Sequence, residues 1–276
     1  MKKITAIMTA FVFFCACATA QKKEKSYEKF FSEIQVGLNL GKNNIGVKES
    51  AMELSAKGIY GWLYWQFARN QPFKKPIGQS YEKSTQFSLG FGKRVNLDPY
   101  QIKSEEKRME LDFGFGPSAV LIPEYMSIPK RSKTYYGGSM FGILEGNQLR
   151  AEISASVMTL PPRTQYEWNN SFTFGEVDVT KFFNGFGLGL NFRLRSVKQS
   201  EKQIMNQPFN GYTYTENQTA INPYLCYQES HFIFRAGLVL KKYKNSSADL
   251  NNPQPNFWAE NYPIGFSCGM IVNLKN

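Results

Sequence analysis

The sequence predicts an all-β chain, a transmembrane antiparallel up-and-down β-barrel of about 12 strands preceded by a cleaved signal peptide. Three observations predict it. From Asn184 to Arg195 the even positions Phe186, Leu188, Leu190, Phe192 and Leu194 are apolar. The odd positions Gly185, Gly187, Gly189, Asn191, Arg193 and Arg195 are small, polar or charged. Strand side chains point to opposite faces with period two, so one face is continuously greasy; no helix produces that split. Second, no apolar run after Ala20 approaches the length of a membrane helix, which leaves a barrel as the way to cross a bilayer. Third, 20% charged and 15% aromatic residues with 22 glycines fit many strands better than helices.

The first residues read as an export signal. Lys2 and Lys3 are followed by the apolar run Ala6 to Cys17 and the small-residue site Ala18-Thr19-Ala20 before Gln21. Residues 1–20 are therefore expected to be removed and 21–276 to form one barrel domain. Cleavage takes two lysines from a formal charge of +11 and leaves Cys226 and Cys268, too few for a disulfide framework.

The strands follow in order. Ile34 to Leu40 alternates as a first strand, Val47 to Ala56 is half-periodic up to Lys57-Gly58, and Ile59 to Ala68 is strongly aromatic with Trp62, Tyr64 and Trp65. Residues 69–83, with two prolines, read as a loop. Gln86 to Gly92 returns to alternation; a loop from Val95 to Lys107 precedes Arg108 to Gly116. A loop from Pro123 to Lys133 leads to strands Thr134 to Glu145 and Leu149 to Val157, joined tightly at Gly146-Asn147. Gln165 to Gly175 is a further segment, then Asn184 to Arg195 and a polar loop from Lys198 to about Asn210. Tyr212 to Gln228 turns at Glu229-Ser230 into His231 to Tyr243. An Asn- and Pro-rich loop over Lys244 to Asn261 precedes the last strand, Pro263 to Leu274. Ten strands are plain, and Val47 to Ala56 with Gln165 to Gly175 make 12. Only the even number 12 puts both tight turns at one end, the periplasmic end of such barrels; ten is the fallback.

Alternation alone does not say which face meets water. A secreted soluble β-barrel or sandwich, binding a lipid-like ligand in its interior, would alternate too. Small residues on the polar face, an apolar face without polar interruptions, and Tyr and Trp near strand ends favour the membrane.

On Ala18-Thr19-Ala20-Gln21, on the glycine-spaced Phe113-Gly114-Phe115-Gly116 and Gly185-Phe186-Gly187-Leu188-Gly189, on Ile221-Asn222-Pro223-Tyr224-Leu225 and on Gly269-Met270-Ile271-Val272-Asn273-Leu274, the chain resembles a known group. It is similar to the small outer-membrane β-barrel proteins of Gram-negative bacteria, of the Bacteroidota type, over the whole mature stretch. The resemblance implies an outer-membrane location, outer-membrane lipid as surroundings, and a structural or narrow porin-like role for small polar solutes. Such proteins often end on an aromatic residue, and Leu274-Lys275-Asn276 departs from that.

No enzyme chemistry is expected. The one histidine, His231, lies beside Ser230 at a tight turn, where neighbouring strand residues point to opposite faces. The glycines of Gly185 to Gly189 precede no helix, so they form no phosphate loop, and the cysteines lack metal-ligand spacing. No metal or cofactor is expected, and nucleic acid is excluded as a partner because the basic residues are scattered. Arg108, Glu110, Asp112, Arg150, Glu152, Asn191, Arg193, Arg195 and Arg235 all take polar-face positions and are expected in the lumen. They form either a salt-bridged plug, favoured by the mixed signs, or a small pore whose arginines favour anions. Lys74, Lys75, Lys130, Arg131, Lys133, Lys198, Lys202, Lys242 and Lys244 are expected in external loops, where they would meet phosphates or acidic sugars of lipopolysaccharide.

Overall fold

Alternation closes on itself in the tertiary structure, a computed structural model that describes residues 32–42, 48–72, 84–97, 109–123, 132–146, 148–160, 170–202, 211–249, 252–261 and 264–274. The strands are β1 (Glu33–Lys42), β2 (Lys48–Tyr60), β3 (Leu63–Pro72), β4 (Ser84–Asn96), β5 (Glu110–Pro123), β6 (Ser132–Glu145), β7 (Leu149–Leu160), β8 (Asn170–Phe183), β9 (Phe186–Lys202), β10 (Gly211–Glu229), β11 (Phe232–Asp249), β12 (Asn252–Asn261) and β13 (Ile264–Asn273). Sequential strands pair antiparallel from β1 to β11, and β13 closes the ring by pairing with both β11 and β1. The wall is thus a closed antiparallel barrel of 12 strands, as the parity of the tight turns requires. β12 is an additional strand outside the ring and pairs with the far part of β11, from Tyr243 to Asp249.

Several boundaries differ from the alternation reading. β2 continues through Gly58 to Tyr60, and the chain turns at Gly61, whose φ of 63° suits a residue without a Cβ. The expected strand from Gln165 is β8, running from Asn170 to Phe183, because Glu176, Asp178 and Thr180 alternate with Val177 and Val179 beyond the aromatic stretch. The expected loop Lys244 to Asn261 is the end of β11 and all of β12; its prolines suit a strand at a sheet edge. The polar residues up to Lys202 likewise extend β9 rather than forming a loop.

One end of the barrel carries the short turns. Asn184 (φ 50°) and Gly185 (φ 86°) make a two-residue hairpin turn, the Asn-Gly pairing that left-handed backbone favours. Ser230 (φ 53°) turns β10 into β11, and Gly146 N–H donates to Leu149 O at 2.8 Å. The wall's first and last residues lie at the same end, where Leu274 N–H donates to Ser32 O at 3.0 Å. The proposed signal peptide lies outside the described residues.

The register advances by about 14 residues on one circuit of the wall, which for 12 strands means a tilt of about 40°. The five apolar outward positions of β9, Phe186 to Leu194, then span a rise of about 20 Å, close to the height of about 25 Å of the apolar belt of an outer-membrane barrel. These side chains are exposed, Phe186 at 65% and Leu188 at 58%. Exposed Phe87, Leu89, Phe91, Phe113, Phe115, Leu225, Phe234, Leu238 and Phe266 continue the belt around the ring. These belt leucines and phenylalanines therefore do not pack against one another at the centre. Aromatic side chains gather at the short-turn rim: exposed Trp62 stacks on Phe91 at 5.4 Å, and Phe186 lies 5.0 Å from Tyr227.

Candidate functional site: the filled lumen

Parity sends the acidic residues inward. Among the residues whose side chains are described, every Asp and Glu of the wall except Glu229, at a turn, occupies a lumen-facing position. What they meet there decides whether the barrel is a passage or a solid body.

Nearest the short-turn end, Arg150 on β7 reaches Glu33 on β1 at 2.6 Å and Glu152 at 2.8 Å, with Glu145 at 3.7 Å. Lys57 on β2 bridges Glu33 (3.4 Å) and Glu152. Asn273 Nδ2 donates to Glu145 at 2.8 Å, and Arg94 pairs with Asp112 at 2.8 Å and bonds Ser32 Oγ. β7 stands across the barrel from β1 and β2, and β6 from β13, so Arg150–Glu33, Lys57–Glu152 and Asn273–Glu145 cross the lumen, while Arg150–Glu152, Arg150–Glu145, Lys57–Glu33 and Arg94–Asp112 run along its wall. Arg150 is 2% exposed and Glu33 0%; such buried charges persist only when each has a well-placed partner. Apolar side chains also gather at this end: Ile59, Tyr64, Phe141 and Ile143 in one cluster, Phe182, Tyr224, Cys226, Ile233 and Ile271 in another.

One level up, Arg193 on β9 makes a two-pronged contact with Glu53 on the opposite wall at 2.6 and 3.1 Å, and bonds Glu176 at 2.9 Å. Asn39 and Asn191 donate to Glu53 and Glu176. Arg235 bonds Asp178 at 2.6 Å and lies 4.9 Å from the centre of the Tyr224 ring, whose hydroxyl also donates to Asp178. The rings fit because glycines face them. A Cβ on Gly189 or Gly237 would collide with Tyr224, and one on Gly114 with Tyr64 and Phe141. Towards the other end, Arg195 lies 3.8 Å from Glu216 and over the Phe172 ring. On one side of the lumen Val120, Ile122, Tyr135, Met158, Leu160, Phe172 and Val197 form a third apolar cluster. A cavity of about 200 Å³ remains beside Glu53, Arg193, Arg195, Arg235 and Gln218.

Asp112, Arg150, Glu152, Asn191, Arg193, Arg195 and Arg235 face inward and join the network; Glu110 begins β5 on the same face, and Arg108 lies outside the described residues. Sequence reading missed Glu33, Glu53, Lys57, Glu176, Asp178 and Glu216. Each sits at a period-two position of its strand, but β2 reads as only half-periodic and residues 176–183 fall beyond the bounds that alternation gives.

The basic residues expected in external loops divide differently. Lys133 is 2% exposed on the inner face of β6, because the strand begins at Ser132 and odd positions of β6 point inward. Lys198 and Lys202 belong to β9, and Lys242 and Lys244 to β11, since both strands continue past the apolar belt. Lys74, Lys75, Lys130 and Arg131 lie outside the described residues. Among the described residues, no group of three or more His, Cys, Asp or Glu is placed to hold a metal ion.

No protein-family profile matches this sequence, and no curated protein sequence matches it. Among solved structures the chain is similar to the CymD monoaromatic hydrocarbon channel, at 8% identity over 89% of each chain with a TM-score of 0.29. It is similar to the outer membrane protease OmpT from Escherichia coli, at 9% identity over 88% of this chain and 98% of that one, TM-score 0.27. It is also similar to an anion-selective porin from Comamonas acidovorans, at 11% identity over 88% and 98%, TM-score 0.21. At these identities and scores the likenesses carry nothing about what this chain binds or does.

Proposed function

We propose that this chain is an integral outer-membrane β-barrel whose lumen is plugged by its own side chains, structural in role and without enzymatic activity. One observation carries the reading: the outer wall is a belt of exposed Leu and Phe, while on the inner wall Arg150 and Arg193 hold carboxylates across the lumen and Arg235 holds Asp178 three strands away. In water such a belt would far exceed the apolar patch a soluble monomer exposes. Against acyl chains it is the expected surface. The inner network argues against the anion pore, because Arg150, Arg193 and Arg235 each hold a carboxylate at 2.6 Å. Ser230 and His231 sit in a turn and do not line the lumen cavity, which argues against a nucleophile and base pair there.

A narrow porin-like path for small polar solutes is the second reading, favoured by the cavity beside Arg193. Fractionation and planar-bilayer recording test both. The expected protein needs detergent for extraction, migrates differently when heated, and gives no conductance steps after insertion. Recovery in a periplasmic wash would overturn the membrane reading. Stable ion-conducting steps would replace the plug with the narrow path.

A further inference from the structure

The glycines of the lumen face do not all serve the same purpose. Opposite Gly114 stands the ring of Tyr64, and opposite Gly189 and Gly237 that of Tyr224, so these glycines make room for a side chain. Gly37 makes room for none. A Cβ there would point into the lumen and, among the described residues, would meet only Glu53 within 4 Å, at 3.8 Å. Its register partner across the β1–β13 seam is Gly269, so the wall is bare at this point, and the cavity of about 200 Å³ lies against it. Protein interiors are close-packed, with few voids larger than a water molecule, so a space of this size sets the seam apart. Glu53, Glu176 and Asp178 line the cavity together with Arg193, Arg195 and Arg235, so the signs balance, while Arg69, at an outward position of β3, turns to Gln71. The paired groups still show side-chain surface, 23% for Arg193 and 26% for Glu53. Phe174 adds an apolar wall: it packs against the third apolar cluster, stays partly exposed, and its ring centre lies 6.0 Å from the Arg193 guanidinium carbon.

We propose that this cavity binds an uncharged polyhydroxylated molecule of about monosaccharide size. The proposal rests on the filled-lumen reading and names the chemistry that the remaining space would take. An ion of either sign would upset a balanced set of enclosed charges, whereas a hydroxyl both donates to a carboxylate and accepts from a guanidinium. The carbon–hydrogen face of a sugar ring suits Phe174, whose ring gives up water when the ligand enters. Volume sets the size, since pockets for drug-sized ligands run from about 300 to 1,000 Å³ and this one is smaller.

The test is calorimetric titration of the full chain, folded in detergent micelles, with glucose, galactose and N-acetylglucosamine, and with gluconate and glucosamine as charged counterparts. At least one uncharged sugar should bind with a Kd of about 1 mM or tighter, and about tenfold tighter than either charged counterpart. Gly37→Val, which fills the bare wall, should weaken that binding more than about tenfold and Phe174→Leu about fivefold, while Gly175→Ala, on the outward face, stays at the wild-type value. Heat-modifiable migration reports the folding of every variant, and Gly37→Ala, whose methyl has room, replaces the valine variant if that one does not fold. No binding of any uncharged sugar by the folded wild type would overturn the assignment. So would equal or tighter binding of gluconate or glucosamine, or wild-type affinity in the folded variant at position 37. The filled-lumen reading fails separately, on stable conductance steps in a planar bilayer.

Discussion

An arginine moved step by step along the outer face of β9 gives the sharpest test of which face meets lipid. Two residues along a strand tilted by about 40° climb about 5 Å, so Phe186, Leu188, Leu190, Phe192, Leu194 and Ser196 sample the belt from one interface to the other. Leu190 lies midway. Arginine at the midplane of a barrel's lipid face costs about 2–4 kcal/mol, falling to about 0–1 near the interfaces. Leu190→Arg should therefore destabilise most, Leu188→Arg and Phe192→Arg less, and Ser196→Arg hardly at all. A water-exposed strand would instead give a flat profile within about 0.5 kcal/mol, since Leu190 is 51% exposed and makes few contacts to lose. The assay is reversible guanidinium unfolding of the chain from phospholipid vesicles, with each variant's midpoint and slope. A flat profile, or one whose maximum falls at either end of the series, would refute the assignment of the outer face.

Three further outcomes follow from the lumen and the turns. Arg150→Met leaves Glu33 and Glu152 buried with one cation fewer and should cost about 3–5 kcal/mol in the same unfolding assay, with Glu33→Gln/Arg150→Met less than additive. Gly189→Ala drives a methyl into the Tyr224 ring and should cost about 1–3 kcal/mol, whereas Gly175→Ala, with nothing within 4 Å of its Cβ, should leave the midpoint unchanged. Gly185→Ala must take φ of 86° and should cost about 1 kcal/mol, and Gly185→Asn should recover part of that loss.

Period two is a local property, and it settled a great deal without any tertiary information. Phe186 to Leu194 against Gly187 to Arg195 already separates an apolar face from a polar one, and the two tight turns already ask for Gln165 to Gly175 as a strand, with Val47 to Ala56 completing the even number. The same rule marked Arg150, Arg193 and Arg235 as sharing the polar face. It could not mark Lys133, Lys198 or Lys244 as strand residues, because polar strands that continue beyond a membrane belt have the composition of loops. Nor could it say that Arg150 meets Glu33, or Arg193 meets Glu53, partners more than a hundred positions away in the chain. Those pairings depend on how far the register advances around the closed wall, which no single strand encodes. Closure also decided the direction of the greasy face: twelve strands at this stagger leave an interior that long side chains can bridge from opposite walls. The glycines opposite Tyr64 and Tyr224 let the rings fill the remainder.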